Sequence, residues 1–308
     1  NSGRVTTSFV GGNLESAYDV EIGTDGRIAA VGLTEQTNDT SLITMADITA
    51  ARYHTNGALD FSFGSLGRTT ANAGGGSLDI GYALAIQPDG KIVVAGAAGL
   101  GGLPGPVSFN LRVNSFIALV RFNTNGTLDT SFGEGGTVVT EVGPFSDFAT
   151  SIAVQPNGKI LIAGSSLDGT YEFFAMRYNS DGSVDSSYGD DGIAFVDFGS
   201  GADELPYALS LDSMGRAVLA GDGGGLFGVA RLQGDVVPGP LLNIFLTATN
   251  TAVVSWPFPS TGFALQQNTD LINGSWSTPP QTVGNDGTNN FIIVSPPAGT
   301  GFYRLFEP

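Results

Sequence analysis

The fold is decided by the stretch GYALAIQPDGKIVVAG, which occupies Gly81–Gly96. An Asp-Gly pair near its centre provides the positive φ angle that a tight hairpin turn requires. Before the turn Leu84 and Ile86 alternate with small residues, and after it Ile92 and Val94 stand in a short apolar run. This pattern predicts two antiparallel strands that are closely packed on both faces.

The same pattern occurs four times, at intervals of about 60 residues. A repeat of this length indicates an array of similar structural units. It is too long for one rung of a β-helix, and it lacks helical periodicity. The copies are AYDVEIGTDGRIAAVG (17–32), GYALAIQPDGKIVVAG (81–96), ATSIAVQPNGKILIAG (149–164) and PYALSLDSMGRAVLAG (206–221).

A second block follows the hairpin in the first three copies. It contains a third strand ending near an Arg, a turn, an Asp, an aromatic-Gly pair and a fourth strand. Four antiparallel strands per unit are the blade of a β-propeller. We interpret the repeated Arg and Asp as structural, either as an ion pair or with Asp capping its turn. The Arg–Asp pairs are Arg52–Asp60, Arg121–Asp129 and Arg177–Asp185.

The fourth copy is incomplete, because after Arg231 it runs into Val-Val-Pro-Gly-Pro without a fourth strand. We place the missing strand at the N-terminus, where Gly3-Arg4 matches Gly67-Arg68. The predicted fold is therefore all-β, with a four-bladed β-propeller closed by the N-terminal strand. In the alternative arrangement the N-terminal strand closes the ring of a neighbouring copy and produces a polymer.

The predicted domains are a four-repeat propeller at residues 1–235, a linker at 236–240 and a small β-sandwich at 241–308. In the last segment, short apolar runs alternate with turn residues, as in a sandwich. Its aromatic residues are predicted to form the core, and carbohydrate binding through the two Trp residues is the alternative. These residues are Trp256, Trp276, Phe263 and Phe302.

The motifs QPDGKIVVAG and RFNTNGTLDTSFG resemble the delta-60 repeat, which occurs in tandem in large secreted bacterial proteins. The resemblance covers roughly residues 1–235 and departs in the fourth copy, where Met214 replaces Asp or Asn. The C-terminal segment resembles the fibronectin-III-like modules that end many secreted bacterial proteins. The delta-60 family is defined by its repeat, so the resemblance implies an extracellular setting and no particular chemistry.

Composition excludes several classes of function. The formal net charge of −17 disfavours nucleic acid and anionic membrane surfaces as partners. With no Cys there are no disulfides, thiol catalysis or cysteine-ligated metals. No apolar run is long enough for membrane insertion. Because the chain starts at Asn1 rather than Met, we expect a mature, secreted chain at the cell surface or outside the cell.

Few residues offer catalytic or metal-binding chemistry. The single His, His54, corresponds to Asn123 and Asn179 and is read as a turn residue. Paired carboxylates of a propeller glycosidase are less favoured, since most acids are repeated in every unit or lie in loops. One turn is typical of a low-affinity calcium loop, with an ordinary Asn/Asp turn as the alternative and no other cofactor expected. Its ligands are Asn179, Asp181, Ser183 and Asp185.

The sequence thus predicts a non-enzymatic extracellular structural protein that self-assembles as a filament or surface-layer subunit. Its main partners would be other copies of itself. A secreted adhesion or glycan-binding module, with a cell-surface glycan or protein as partner, is the alternative. In that case the unequal inserts around residues 34–43 and 97–114 would form the binding surface, because length variation in a repeat protein marks binding loops.

Overall fold

The computed structural model describes residues 3–9, 14–37, 43–74, 78–99, 115–232, 242–248, 251–258, 264–269, 275–295 and 301–306. These residues are all-β, and none of them forms a helix suited to crossing a membrane. The chain divides into two compact units, Asn1–Asp235 and Val236–Pro308. The predicted linker and most of the two long inserts lie outside the described residues.

The first unit contains four antiparallel sheets in chain order. The first sheet is β1 (Leu14–Ile22), β2 (Ile28–Thr37), β3 (Ile43–Tyr53) and β4 (Arg68–Ala71). The second is β5 (Ile80–Ile86), β6 (Ile92–Ala98), β7 (Phe116–Phe122) and β8 (Thr137–Thr140). The third is β9 (Asp147–Val154), β10 (Ile160–Asp168), β11 (Thr170–Tyr178) and β12 (Ile193–Val196). The fourth is β13 (Glu204–Leu211), β14 (Ala217–Gly223) and β15 (Phe227–Arg231).

Each predicted hairpin is present. The glycine that ends each copy of the repeat is required for a steric reason. The first two strands of each sheet pair through a bulge, and the glycine lies opposite it. A Cβ atom on Gly96 would lie 1.8 Å from the carbonyl oxygen of Ile80. Gly32, Gly164 and Gly221 meet backbone oxygens at similar distances. Only glycine allows this close approach, which explains its recurrence in the sequence.

Three cores lie between consecutive sheets, and a further cluster joins residues of the first three sheets, with Leu205 of the fourth packed against it. Alternate residues along a strand point to opposite faces, so each inner sheet contributes to two cores. In the second sheet, Leu84 and Val94 pack with Ile48 of the first sheet, whereas Val93 and Leu119 pack with residues of the third. The third and fourth sheets share another core. Each junction also carries backbone contacts, such as the hydrogen bond from Leu84 N to Asp19 Oδ2.

The described residues do not show the predicted ring closure, which stays a prediction. The most extensive contacts between sheets join the first sheet to the second, the second to the third and the third to the fourth, and none of comparable extent joins the fourth to the first among the described residues. The fourth sheet has three strands, and residues 3–9 form no strand beside it. These residues lie on the first sheet instead. There the Thr7 and Tyr53 hydroxyls are 2.7 Å apart, and Phe9 N donates to Glu15 Oε1 at 2.6 Å.

The second unit contains two antiparallel sheets with a core between them. Trp256 is buried in this core, as predicted, and Trp276 is half-buried beside Arg304. Phe302 is half-buried, and Phe263 lies outside the described residues. The sheets are β16 (Asn243–Leu246), β17 (Ala252–Pro257), β20 (Asn289–Val294) and β19 (Gly284–Asn285), and β18 (Ala264–Asn268) with β21 (Phe302–Phe306).

We expect Gly96→Ala to destabilise the first unit by about 2 kcal/mol or more, because the new methyl group overlaps the Ile80 carbonyl and forces the bulge to move. Chemical denaturation followed by circular dichroism measures this change. An unchanged free energy of unfolding would show that the close approach does not constrain the blade.

Candidate functional site

Each of the first three sheets contains a buried cluster built from the repeated Arg and Asp. In the second sheet, Arg121 Nε donates to Asp129 Oδ2 at 2.7 Å, and its guanidinium lies 4.4 Å from the centre of the Phe132 ring. The Asp also caps its own turn, because Ser131 N and Oγ donate to Asp129 Oδ1. Both roles considered from the sequence are therefore present, and the aromatic-Gly pair provides the stacking surface.

The Arg also reaches the next sheet. Arg52 Nη1 donates to the main-chain carbonyl of Thr124, and Arg121 Nη1 donates to that of Ser180. Both acceptors lie in the turn that follows the third strand of the next sheet. Beside them, Gly64 N donates to Asn125 O. The Arg–Asp cluster thus connects one blade to the next, which the alignment of repeats alone did not reveal.

The clusters shift the pKa values of their carboxylates. Burial by itself would raise the pKa of Asp60, but hydrogen bonds from Ser62 and Arg52 outweigh burial and lower the pKa to about 2. The same balance holds the pKa of Asp129 well below its usual range, with Lys91 Nζ as a further donor at 2.9 Å. These carboxylates are charged ion-pair partners at neutral pH, which suits structural braces rather than proton-transfer groups.

The turn predicted to bind calcium is attached to such a cluster. Asp185 is buried and accepts from Arg177 Nε at 2.6 Å and from Lys159 Nζ at 2.7 Å. Asp181 is exposed and accepts from Ser183 N and Oγ, and Asn179 Nδ2 donates to Ser183 Oγ. Over the described residues, no group of three or more acids or histidines is arranged for a metal ion. Calcium binding here stays a prediction.

His54 lies in the turn after β3, where Gly57 N donates to its carbonyl, so it is a turn residue. A cleft of about 460 Å³ opens nearby between the hairpin turns of the first two sheets. Its lining includes Glu21, whose pKa is raised by burial, and the buried Gln87, whose side-chain oxygen has no hydrogen-bond partner. Glu21 already accepts from Ile86 N at 2.7 Å and so serves the junction between the sheets.

The most unusual surface is at the two ends of the sheet array. On the first sheet, Val20 and Ile22 are 62% and 67% exposed. Their counterparts in the second sheet are Leu84, which is 5% exposed, and Ile86, which packs against the core between the first two sheets. We call the side of the first sheet that carries Val20 and Ile22 the leading face. It shows to solvent the positions that the inner sheets bury against the preceding sheet.

The opposite end has the complementary feature. Phe227 of β15 is 89% exposed, whereas its counterparts Ile48, Ile117 and Phe173 are 0% exposed. Val229 is also exposed, where the corresponding Leu119 is fully buried. We call this side of the fourth sheet the trailing face. Phe227 lines a cleft of about 490 Å³ on this face, together with Tyr207 and Leu226.

The N-terminal segment, residues 3–9, lies against the first sheet in a position that the repeat explains. In the repeat alignment, Val5 and Thr7 correspond to Val138 and Thr140 of β8. A Cβ atom on Gly182, in the third sheet, would lie 2.8 Å from Val138 Cγ2, and one on Gly57 would lie 3.0 Å from Val5 Cγ2.

The hydroxyl contacts repeat in the same way. Thr140 bonds with Tyr178 of the third sheet, as Thr7 does with Tyr53 of the first. The N-terminal segment therefore occupies the place of a fourth strand that belongs to a blade preceding the first sheet.

Sequence reasoning predicted that the N-terminal strand and β15 belong to one blade, which the described residues do not show, and it did not predict the exposed residues of the two faces. Val20, Ile22, Phe227 and Val229 are apolar like their counterparts in the inner copies. The alignment therefore gives no signal that these four are uncovered. Only the spatial order of the sheets distinguishes them.

Comparison with known proteins supports a β-propeller-like repeat protein. The family described as "Domain of unknown function (DUF5122) beta-propeller" matches residues 87–106, 108–132 and 155–188. Among curated proteins, none matches the chain.

Two solved structures resemble the chain only distantly. A protein of unknown function from Dyadobacter fermentans has a TM-score of 0.40 and 11% identity, over 89% of this chain and 75% of its own. The polysaccharide lyase Uly1 has a TM-score of 0.26 and 10% identity, over 92% of this chain and 58% of its own. Likenesses at this level carry no argument about activity.

We expect Asp60→Asn to destabilise the protein by about 3 kcal/mol at pH 7, because Arg52 keeps its burial and loses its charged partner. The pKa of Asp60 is lowered in the folded state, so its contribution is present above the unfolded-state pKa and is lost as the pH falls from about 4 to about 2. The two proteins should therefore converge in stability over this range, as measured by denaturation at each pH.

Burial raises the pKa values of Asp79 and Asp147, so their contribution to stability increases as the pH falls. Both proteins contain these two residues, so the difference in stability between variant and wild type is the quantity to follow. The exposed Asp89→Asn is the matched control, and it should change stability little. If wild type and Asp60→Asn stay equally far apart from pH 7 to below pH 2, the ion pair is not the stabilising group.

Proposed function

We propose that the protein is a non-enzymatic, extracellular structural protein whose first unit assembles with other copies of itself, as a filament or surface-layer subunit. The observation that carries this proposal is the pair of uncovered apolar faces. Every inner junction of the array buries these positions or packs them partly buried against a core, whereas the end sheets expose Val20, Ile22 and Phe227. Large exposed apolar side chains grouped on one face mark protein–protein contact sites.

Two different faces that fit each other form a heterologous contact. Such a contact adds copies head to tail and yields a ring if the rotation closes or a filament if it does not. The finer features of the fold belong to the same proposal. These are four blades per copy, the delta-60 character of the repeat and the fibronectin-III-like character of the second unit.

The non-enzymatic part of the proposal is supported by the structural roles of the aspartate side chains. The repeated Asp60, Asp129 and Asp185 hold ion pairs, and the buried Asp79 and Asp147 accept backbone hydrogen bonds that fix the loops before β5 and β9. The extracellular part is supported by the resemblance to repeats of secreted proteins.

A glycan-binding adhesion module is the second candidate. It is favoured by Trp276, which is half-buried, whereas Trp256 is part of the core of the second unit. Arg304 lies 4.3 Å from the ring centre of Trp276, and its Nε donates a hydrogen bond to the side-chain Oε1 of Gln266. An aromatic side chain beside polar groups at a surface is a common platform for sugars.

Size-exclusion chromatography with light scattering, run over a wide range of protein concentrations, tests the proposed function. We expect a mass that grows with concentration, and rings or filaments in negative-stain images of the concentrated sample. A protein that keeps the mass of one chain at every concentration would contradict self-assembly. A monomer that is retained on a glycan column, and loses this retention with Trp276→Ala, would instead support the second candidate.

A further inference from the structure

We propose that the fourth sheet of one copy docks on the leading face of a second copy and takes the second copy's N-terminal segment as its missing fourth strand. This inference rests on the proposed function and gives the contact its residues and register. The hybrid sheet would contain β13, β14 and β15 of one chain and residues 3–9 of the other.

The first step in the argument is the edge of β15. In the three complete sheets, the third strand pairs with a fourth: β3 with β4, β7 with β8 and β11 with β12. In the described residues, β15 pairs with β14 alone. Its other edge therefore carries backbone groups that pair with no strand of the described residues, and such an edge readily accepts another strand.

The second step is the position of the N-terminal segment. It contacts the first sheet as β8 contacts the third, through Val5 at Gly57 and Thr7 at Tyr53. The described structure has no sheet beside it on the side where β7 lies next to β8. The segment therefore occupies the position of the outer strand of a blade whose three inner strands must come from elsewhere.

The third step is the fit of the faces. If the fourth sheet of one copy paired with the N-terminal segment of a second copy, its trailing face would cover the second copy's leading face. Phe227 and Val229 would meet the face that carries Val20 and Ile22, as Ile48 and Ala50 meet the face that carries Leu84. This contact continues a junction that the chain already forms three times, so it needs no new type of interface.

The fourth step chooses the occupant. The same chain's fourth sheet is joined to its third, and the described residues show no extensive contact between the fourth and first sheets. A second copy carries the required sheet with its trailing face already exposed. We therefore assign the contact to a second copy, and closure within one chain becomes an outcome of the test.

The inner sheets give the register. In the second sheet Leu119 lies opposite Val138 and Val120 opposite Thr137, and Arg121 N donates to Gly136 O. Transferred through the repeat, Val229 lies opposite Val5 and Ala230 opposite Arg4 of the second copy, and Arg231 N donates to Gly3 O. The exposed Arg231 would place its guanidinium at the turn containing Thr55, as Arg52 does at Thr124.

Cysteine cross-linking tests this register, since the chain has no Cys of its own. Because Arg121 N donates to Gly136 O, the adjacent Val120–Thr137 pair is the non-hydrogen-bonded type, with Cα atoms about 4.5 Å apart. Arg4 and Ala230 correspond to that pair, and the distance is within the range for a disulfide. We expect a mixture of Arg4→Cys and Ala230→Cys chains to form a covalent heterodimer on mild oxidation.

The matched control is a mixture of Arg4→Cys and Val229→Cys, which moves one sulfur to the opposite face of the sheet and should cross-link at least about tenfold less. A disulfide that forms only within the Arg4→Cys/Ala230→Cys double variant would show that the ring closes inside one chain, and would overturn the inference. Equal cross-linking in both mixtures would overturn the register.

Charge substitution separates this inference from the proposed function. Val20→Asp and Phe227→Asp each spoil one face, so each variant alone should assemble at least about tenfold more weakly than wild type. Mixed together they retain one intact pair of faces and should form a heterodimer. Phe61→Asp is the control, because Phe61 is exposed at a position that is also exposed in the second and third sheets.

Circular dichroism and thermal unfolding of the monomeric variants establish that they fold. Wild type that assembles while Val20→Asp and Phe227→Asp assemble equally well would overturn the docking surface and leave self-assembly standing. Wild type that never assembles would overturn the proposed function itself, together with the inference.

Discussion

The rest of the structure depends on one constraint: a blade has two apolar faces, and each must be covered by another blade. Alternating side chains make this unavoidable, because small and branched apolar residues occupy both faces of the inner strands. In the second sheet Leu84 serves the junction with the first sheet, and Leu119 serves the junction with the third. Within an array of four such sheets, only the two ends are left without a neighbour.

The Arg–Asp clusters maintain the geometry that the constraint requires. Each cluster links the third strand of a blade to its own turn, and for Arg52 and Arg121 also to the turn of the next blade. A buried ion pair alone is weak support for stability. Here the guanidinium also stacks on an aromatic ring and donates hydrogen bonds to main-chain carbonyls, in addition to its ion pair. The repeated positions thus connect the first sheet to the second and the second to the third.

Much of the fold was predictable from the sequence. The Asp-Gly and Asn-Gly turns located the hairpins, and the Arg, Asp and aromatic-Gly positions located the third strand and its turn. Gly3-Arg4 matches the start of a fourth strand, and the pairing of the two ends that follows from this match stays a prediction. Which sheet holds that segment depends on the contacts of Val5 and Thr7, and these follow from the three-dimensional order of the blades.

The exposure of the end faces was beyond sequence reasoning for a similar reason. Phe227 and Ile117 are both large apolar residues at the same place in the repeat, yet one is 89% exposed and the other is 0% exposed. The residue types are equivalent, and only the presence of a neighbouring blade differs. The sequence likewise predicted that the core positions are apolar, but it did not show which sheet each of them packs against.

Burial of the open edge of β15 is the central claim, and amide hydrogen exchange measures it most directly. Peptides covering residues 227–231 and residues 3–9 should exchange rapidly in dilute protein and become protected at concentrations where the mass increases. Peptides from β6, which is already paired on both sides, should exchange equally slowly at all concentrations. Assembly without any added protection of residues 227–231 would contradict the account.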